Sequence, residues 1–247
     1  MSPRVHVRFL GSGDAFGSGG RLQPAILIER ENFRALVDCG TTTLVALKRG
    51  AIDPGSIDVI VVSHLHGDHF GGIPFFVLDA QFSRRVRPLV VAGPPGSAER
   101  LRQTTEVLFP GSSRAARKFE TRVVEMPPET PTALGEMTVV PYEVPHESGA
   151  PAYALRLSLG GRVIAYSGDS EWTESLPRVA EDSDLFICEA YFYEKRVRHH
   201  LDYCTLMKHR AEIRTKRLVL THMSGDMLER LTKLEVDAAS DGRIIEL

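Results

Sequence analysis

Cysteine is scarce in this chain. Cys39, Cys188 and Cys204 are the only three in 247 residues, and no CxxC pair occurs. That excludes a disulfide framework and a thiolate metal knuckle, and the apolar neighbours of all three predict buried free thiols. Charge of one sign is also lacking. A formal net charge of −2 leaves no strong general attraction to nucleic acid or to an anionic membrane. No apolar run approaches the ~18 residues of a membrane-spanning helix, so no membrane partner is expected. The stretch MSPRVHVRFLGSGDAF lacks the apolar core of a secretory leader, and a cytoplasmic location is expected. Repeats, low-complexity segments and linkers are absent. Apolar residues make up 43% of the chain. That is enough for a sizeable core, and one domain over 1–247 is expected.

What is present is an alternation of β and α patterns. VHVRFL (Val5 to Leu10), AILIE (Ala25 to Glu29) and RALVDCG (Arg34 to Gly40) read as strands. TTLVALKRG reads as a helix closed by Gly50. IDVIVVS (Ile57 to Ser63) and PLVVAG (Pro88 to Gly93) are further strands. IPFFVLDAQF (Ile73 to Phe82) has near-helical apolar spacing, and a helix over Ser97 to Phe109 is expected to open on a serine cap. FETRVVEM and MTVVPYEVPH are strands. AYALRLSLGGRVIAYSGD is a hairpin turning at Gly160-Gly161. DLFICEAYF, a helix from Asp202 to about Ile213, the strand in RLVLTHMSGD, a short helix in MLERLTKL and a last strand in RIIEL complete the pattern. GSGDAFGSGG follows the first strand, but its glycines miss the GxGxxG spacing and a strand comes next. A loop lining a cleft is expected rather than a dinucleotide cradle, with Asp14 near the site or capping a turn. Trp172, Phe75, Phe76, Tyr191 and Phe192 read as core. His6 and His209 have no partners at metal spacing.

One stretch carries chemistry. In VVSHLHGDHFGG (61–72), His64, His66, Asp68 and His69 lie within six residues, directly behind an apolar β run. Glycines and Pro74 then turn the backbone, and a helix pattern follows. A strand–loop–helix junction is where open α/β sheets place ligand sites. Imidazoles and carboxylates are the donors that suit Zn²⁺ and similar divalent ions.

The HxHxDH pattern resembles the signature of the metallo-β-lactamase superfamily. The resemblance implies a four-layer αββα sandwich and three further ligands at strand ends. His146 ends TVVPYEVPH, Asp169 ends RVIAYSGD and His222 ends KRLVLTH. It further implies that His64, His66 and His146 hold one ion, Asp68, His69 and His222 a second, and that Asp169 bridges them. Two Zn²⁺ are the expected cofactors, and Mn²⁺ or Fe would fit the same donors. A metal-bridging hydroxide would be the nucleophile, with Asp68 also orienting it. Such a centre hydrolyses esters, amides, thioesters or phosphodiesters, and the ligand set alone does not choose among them.

The second half narrows the choice. CEAYFYEKRVRHHLDY resembles the ribonuclease Z branch, which cuts tRNA precursors. There, a glutamate at a strand end orients a histidine that protonates the leaving oxygen. Glu189 and His200 match those two positions. PHESGAPAYALRL and TKRLVLTHMSGDM resemble other motifs of the branch, and the resemblance runs from Arg8 to about Met227. Two pieces of the branch are missing. No long Gly/Pro/Lys-rich arm separates His69 from His146, and the loop after the first strand offers only Arg21 in place of a Pro-x-Lys-x-Arg-Asn-type element. The basic clusters at Arg114, Arg117 and Lys118, and between Lys195 and Arg217, suit a solvated helix face. A metal-dependent phosphodiesterase acting on a small phosphodiester or nucleotide is therefore expected, with RNA as a possible substrate and a homodimer as a possible assembly. The alternative is a hydrolase of carboxylic derivatives (lactone, thioester or β-lactam) on the same centre. An iron redox enzyme and a non-catalytic binding module are the remaining readings.

Overall fold

Alternating apolar positions place each strand between two different cores. In the computed structural model, which describes residues 4–247, the first half of the chain forms β1 (His6–Gly11), β2 (Ala25–Arg30), β3 (Phe33–Val37), α1 (Thr43–Arg49), β4 (Val59–Val61), α2 (Gly67–Phe70), α3 (Ile73–Phe82), β5 (Leu89–Gly93), α4 (Ser97–Leu108) and β6 (Thr121–Glu125). The second half forms β7 (Thr132–Leu134), β8 (Met137–Val144), β9 (Ala152–Leu159), β10 (Arg162–Tyr166), α5 (Ser175–Ala180), β11 (Leu185–Glu189), α6 (Tyr203–Lys208), β12 (Leu218–Thr221), α7 (Gly225–Leu228), β13 (Asp237–Ala238) and β14 (Ile244–Glu246). They make two seven-stranded sheets, ordered β14-β1-β2-β3-β4-β5-β6 and β13-β12-β11-β10-β9-β8-β7.

The period of two explains the layering. Val7, Phe9, Ile26, Ile28, Val59 and Val61 face inward and meet Tyr153, Leu155, Leu157 and Ile187 of the other sheet in one buried cluster. Their neighbours Leu27, Leu36 and Ile60 face outward onto Leu47, Phe76 and Ala80 from α1 and α3. On the far side, Phe186, Cys188 and Leu220 pack on Leu176, Val179 and Leu206 from α5 and α6. The order is helix, sheet, sheet, helix, as the four-layer expectation required.

Each sheet has a parallel region. Strands β3 to β6 pair in parallel, and so do β10 to β13. Parallel strands end together, so loops after their C-terminal ends converge on one rim. Close backbone approach shapes the first of these loops. A Cβ on Gly72 would lie 2.1 Å from the Gly40 carbonyl oxygen, and one on Gly40 would lie 2.2 Å from the Asp68 carbonyl oxygen. Only glycine lets α2 settle onto the Asp38-Cys39-Gly40 turn.

Several local expectations change. Ser97 is the first helical residue of α4, not its cap; Gly96, at φ 93°, precedes the helix, and Ser97 Oγ donates to the Pro94 carbonyl. The helix expected from Asp202 to Ile213 stops at Lys208, where a 3-10 turn (Arg210–Glu212) takes over. Asp202 does cap α6, accepting from the Thr205 N–H at 2.8 Å. MLERLTKL divides between the end of α7 and a 3-10 turn at Leu231–Lys233. Among the described residues, no helix is long and apolar enough to cross a membrane.

Candidate metal centre

Strand ends and one short helix deliver the polar side chains. His64 and His66 leave the loop after β4, and Asp68 and His69 lie on α2. His146 follows β8, Asp169 follows β10, and His222 follows β12 directly. The seven predicted ligands meet in two groups. Atoms of His64, His66 and His146 lie within 4.8 Å of one another, as do those of Asp68, His69, Asp169 and His222. Asp169 addresses both groups. Its Oδ1 is 3.3 Å from His69 Nε2. Its Oδ2 is 3.4 Å from His222 Nε2, 3.9 Å from His64 Nε2 and 4.0 Å from His146 Nε2. Asp68 Oδ2 lies 3.2 Å from His69 Nε2 and 3.3 Å from His222 Nε2. Six of the seven side chains are buried, and His66 is partly exposed.

Hydrogen bonds behind the rings decide which nitrogen faces inward. The Nδ1–H of His69 donates to Asp38 Oδ2 at 2.7 Å. The Nδ1–H of His64 donates to Ser63 Oγ at 3.0 Å, and that hydroxyl donates to Asp38 Oδ2 at 2.9 Å. The Nδ1–H of His146 donates to the His199 carbonyl at 2.8 Å. Each bond leaves Nε2 as a lone pair pointing into the cluster, the tautomer a metal ligand needs.

The donor set fits a divalent ion on the structure's own terms. His64 Nε2, His69 Nε2 and Asp169 Oδ1 are buried without a hydrogen-bond partner. Buried polar atoms are ordinarily paired, and here the orphans converge on one spot. Lone pairs of His69 and oxygens of two carboxylates face each other, which is repulsive unless a cation lies between them. The titration behaviour agrees. Burial, reinforced by the charge of His69, holds His64 well below the usual imidazole range. Burial also lowers His66, and it lowers His146 to about 4 despite Asp169. These three are kept neutral. Burial also pulls on His222, but Asp169 and Asp68 outweigh it and raise that ring to about 9. With carboxylates on one side, the second group attracts whichever positive charge is available.

Beside the ligands sits a proton-holding pair. Glu189 ends β11, is fully buried, and accepts from the Ser170 N–H. The Nδ1–H of His200 donates to Glu189 Oε2 at 3.0 Å, and His200 Nδ1 is 3.9 Å from Asp169 Oδ2. Burial lowers His200, yet the bond to Glu189 and the charges of Glu189 and Asp169 raise it above the usual value. The ring stacks on Tyr191 at 4.7 Å. A cavity of about 350 Å³ opens over Asp68, Asp169, His200 and His222.

The sequence matches a known family, described as Anti-Pycsar protein Apyc1, over residues 5–238. The chain belongs to the Anti-Pycsar protein Apyc1 family. The chain has the metallo-β-lactamase fold and resembles ribonuclease Z. Ribonuclease Z of Methanosarcina acetivorans is 26% identical over 90% of this chain and 88% of its own length. The short form of human tRNase Z is 26% identical, with a TM-score of 0.79 over 97% of this chain and 98% of its own. The metallo-β-lactamase fold protein YhfI from Bacillus subtilis, at 22% identity, shares the fold with a TM-score of 0.78 over 98% and 99% of the two chains. The Apyc1-family chain is accordingly a hydrolase acting on phosphoester bonds.

Some residues of the site escaped the sequence reading. Asp38 stands in the sequence only at the end of a stretch that reads as a strand, yet it is buried and accepts from Ser63, His69 and the Tyr166 hydroxyl at 2.9 Å. A signal existed: Asp38 ends an apolar strand just as Asp169 does. Tyr191, expected in the core, lines the cavity. Trp172 stacks on His209 at 4.1 Å, and Phe76 is core as expected. Asp14 caps a turn, accepting from the N–H groups of Phe16 and Ser18. Arg21, the one basic residue of that loop, is committed elsewhere; it donates to Ser12 Oγ and to the Ala239 carbonyl.

Proposed function

We propose that this chain is a phosphodiesterase that uses two zinc ions and cleaves a small nucleotide-type phosphodiester. The observation that carries the reading is the contact of His200 with buried Glu189 at 3.0 Å, at the rim of the ligand cluster. An alkoxide leaving from phosphorus needs a proton, and a positioned acid typically contributes 10²–10⁴-fold. A lactone or thioester makes a weaker demand on such a group.

His64, His66 and His146 would hold one ion, and Asp68, His69 and His222 the other, with Asp169 shared. Zinc suits these donors, and manganese or iron would fit them too. Two such ions, when bound, acidify water and offset the charge that builds on the phosphoryl oxygens. The remaining work belongs to the chain. Asp38 and Ser63 hold His69 and His64 with their Nε2 atoms inward. The His199 carbonyl does the same for His146. Glu189 keeps the His200 Nδ1 proton in place, which leaves Nε2 as the nitrogen that gives a proton to the leaving oxygen. Asp68 and Asp169 flank the cavity floor, where they can orient attacking water.

Two features favour a small substrate over a folded RNA. The segment between His69 and His146 is built into the body as α3, α4 and β5 to β8, without a projecting arm among the described residues. The basic residues of the C-terminal half are largely spent on neighbours. Arg214 pairs with Glu181, Lys216 with Asp184 and Arg217 with Asp237. Phosphate tracking by nucleic-acid binders relies on free cations. The likeness to ribonuclease Z keeps an RNA phosphodiester as the second reading.

The test is hydrolysis of bis(p-nitrophenyl) phosphate and of an alkyl nucleotide diester by zinc-loaded wild type and His200→Ala. A carboxylic ester and a lactone run alongside. Chelator should abolish phosphodiester turnover. The mutant should lose ~10²-fold or more on the alkyl ester and much less on the aryl ester, whose leaving group needs little protonation. An inert phosphodiester beside a consumed lactone would overturn the reading.

A further inference from the structure

His222 is held differently from its partners in the cluster. His64, His69 and His146 each donate their Nδ1–H to a fixed acceptor. His222 is 2% exposed, and its Nδ1 has no hydrogen-bond partner among the described residues; Glu189 Oε2 lies 3.9 Å away. No hydrogen bond behind the ring therefore fixes its direction, and the backbone must do so. His222 sits at φ 55°, a left-handed conformation that a residue with a Cβ keeps only where its surroundings enforce it.

The enforcing contact is with Ser12. β1 ends at Gly11 and β12 at Thr221, so Ser12 and His222 are the first residues beyond strands of two different sheets. The Ser12 carbonyl accepts from the His222 N–H at 3.2 Å and from the Thr221 hydroxyl at 3.5 Å. Ser12 is fully buried, and a further set of bonds holds it. Asp241 Oδ1 accepts from its N–H and from its hydroxyl, both at 2.8 Å. Asp241 Oδ2 accepts from the Leu22 N–H at 2.8 Å. Arg21 donates to Ser12 Oγ at 3.1 Å and to the Ala239 carbonyl at 2.6 Å. The turn that carries Asp241 is tied to both sheets. The Ala239 N–H donates to the Leu220 carbonyl of β12, the Gly242 N–H to the Phe9 carbonyl of β1, and the Phe9 N–H to the Arg243 carbonyl. A chain of bonds thus runs from the turn at 239–243 through Ser12 to the last ligand.

We propose that Asp241, assisted by Arg21, is a positioning residue for His222, and that the second metal group depends on this turn while the first does not. The inference rests on the two-ion reading above. His64 and His146 take their bonds from Ser63 and the His199 carbonyl, outside this network. Residues that orient a ligating histidine typically contribute 10- to 100-fold in metal affinity. Asp241 is exposed and acts through Ser12, so the lower end of that range applies.

The experiment measures zinc affinity by competition with a chromophoric chelator, in wild type and in two backgrounds that each keep one group. His146→Ala disables the first group, and His222→Ala disables the second. Asp241→Ala should weaken zinc binding ~10-fold in the His146→Ala background and less than about 2-fold in the His222→Ala background. Asp241→Asn keeps an oxygen for the Ser12 N–H and should stay within about 3-fold in both. Arg21→Ala leaves the Asp241 bonds in place and should show the same selectivity at ~3-fold, which supplies the reading if Asp241→Ala does not fold. Equal weakening in both backgrounds, or none in either, overturns the positioning role and leaves the two-ion reading intact. Uptake of fewer than two zinc ions by wild type removes the underlying reading and the positioning role with it.

Discussion

The floor of the centre and its wall are built differently. On the floor, His64 and His69 are fully buried and both trace back to one carboxylate, Asp38, through bonds of 2.7 to 3.0 Å. On the wall, His146 and His200 depend on a loop. That loop closes where the Tyr191 N–H meets the Leu201 carbonyl, and it is anchored at His199, whose N–H donates to Glu171 while its carbonyl receives His146. His199 does this with φ at 70°, a left-handed conformation that is costly for a residue with a Cβ. The floor is fixed by burial and a saturated carboxylate. The wall is fixed by one strained backbone unit that serves two functional histidines. On the proposed reading, a site built this way would hold ions rigidly while His200, the proposed proton donor, stays near solvent, where a leaving group would depart.

Breaking the floor should have the largest effect. Asp38→Ala strands the buried donors of Ser63, His69 and Tyr166. A cost of about 3–5 kcal/mol is expected from removing a buried charged partner, and at ~2–4 °C per kcal/mol a calorimetric scan should show Tm falling by ~10 °C. If Tm hardly moves, the floor does not depend on Asp38. Metal removal tests the same half by another route. Ligands held at about 1,000 times their Kd contribute ~4 kcal/mol, so exhaustive chelation should lower Tm and restoring zinc should return it.

The wall should respond in activity rather than stability. His200→Ala should cost ~10²-fold or more in kcat on a poor leaving group, with a smaller fall in Tm than Asp38→Ala, because the ring is partly exposed and Glu189, which loses it, keeps the Ser170 N–H. A matching collapse of Tm would erase the distinction between wall and floor. A subtler pair sharpens it. His199→Gly accepts the left-handed backbone and should stay within about 3-fold of wild type, whereas β-branched His199→Val resists it and should lose ~10-fold, with weaker occupancy of the first metal group by elemental analysis. Equal behaviour of the two variants would show that the backbone conformation is irrelevant.

The smallest effect concerns the thiols. Burial pushes Cys39 up to about 12 and raises Cys188 further, so neither offers thiolate at neutral pH. A thiol reagent should label Cys204 alone in the native protein without loss of turnover, and all three after unfolding. Rapid native labelling of Cys39 would mean that the turn under α2 opens readily.

Much of this was legible in the order of residues. The period-two strands, the HxHxDH stretch, the three isolated ligands at strand ends and the Glu189–His200 pair are local patterns. Asp38 carried the same strand-end pattern as Asp169 and was passed over, because only packing shows that its carboxylate turns inward toward Ser63 and His69. Tyr191 read as core because an aromatic after an apolar strand usually is. Its ring instead follows the chain out of the sheet and covers His200. Ser97 read as a cap because the residue type is right, but the helix begins one residue earlier than a cap allows. The helix after Asp202 stopped early because a 3-10 turn at Arg210–Glu212, not a further helical turn, brings Ile213 into the core beside Leu206.

The sequence by itself determined the strands, the mixed α/β class and the set of chemically competent side chains, since hydrophobic period and residue type are properties of neighbours in the chain; the four layers were implied only through the family resemblance. The tertiary structure alone decided which of them meet. Asp68 and His222 are 154 positions apart and come within 3.3 Å only because the parallel ends of two packed sheets share one rim. It also decided that Ser12 and His222, beyond strands of two different sheets, share one hydrogen bond. Both follow from burial and backbone geometry, which no stretch of sequence contains until its partners are in place.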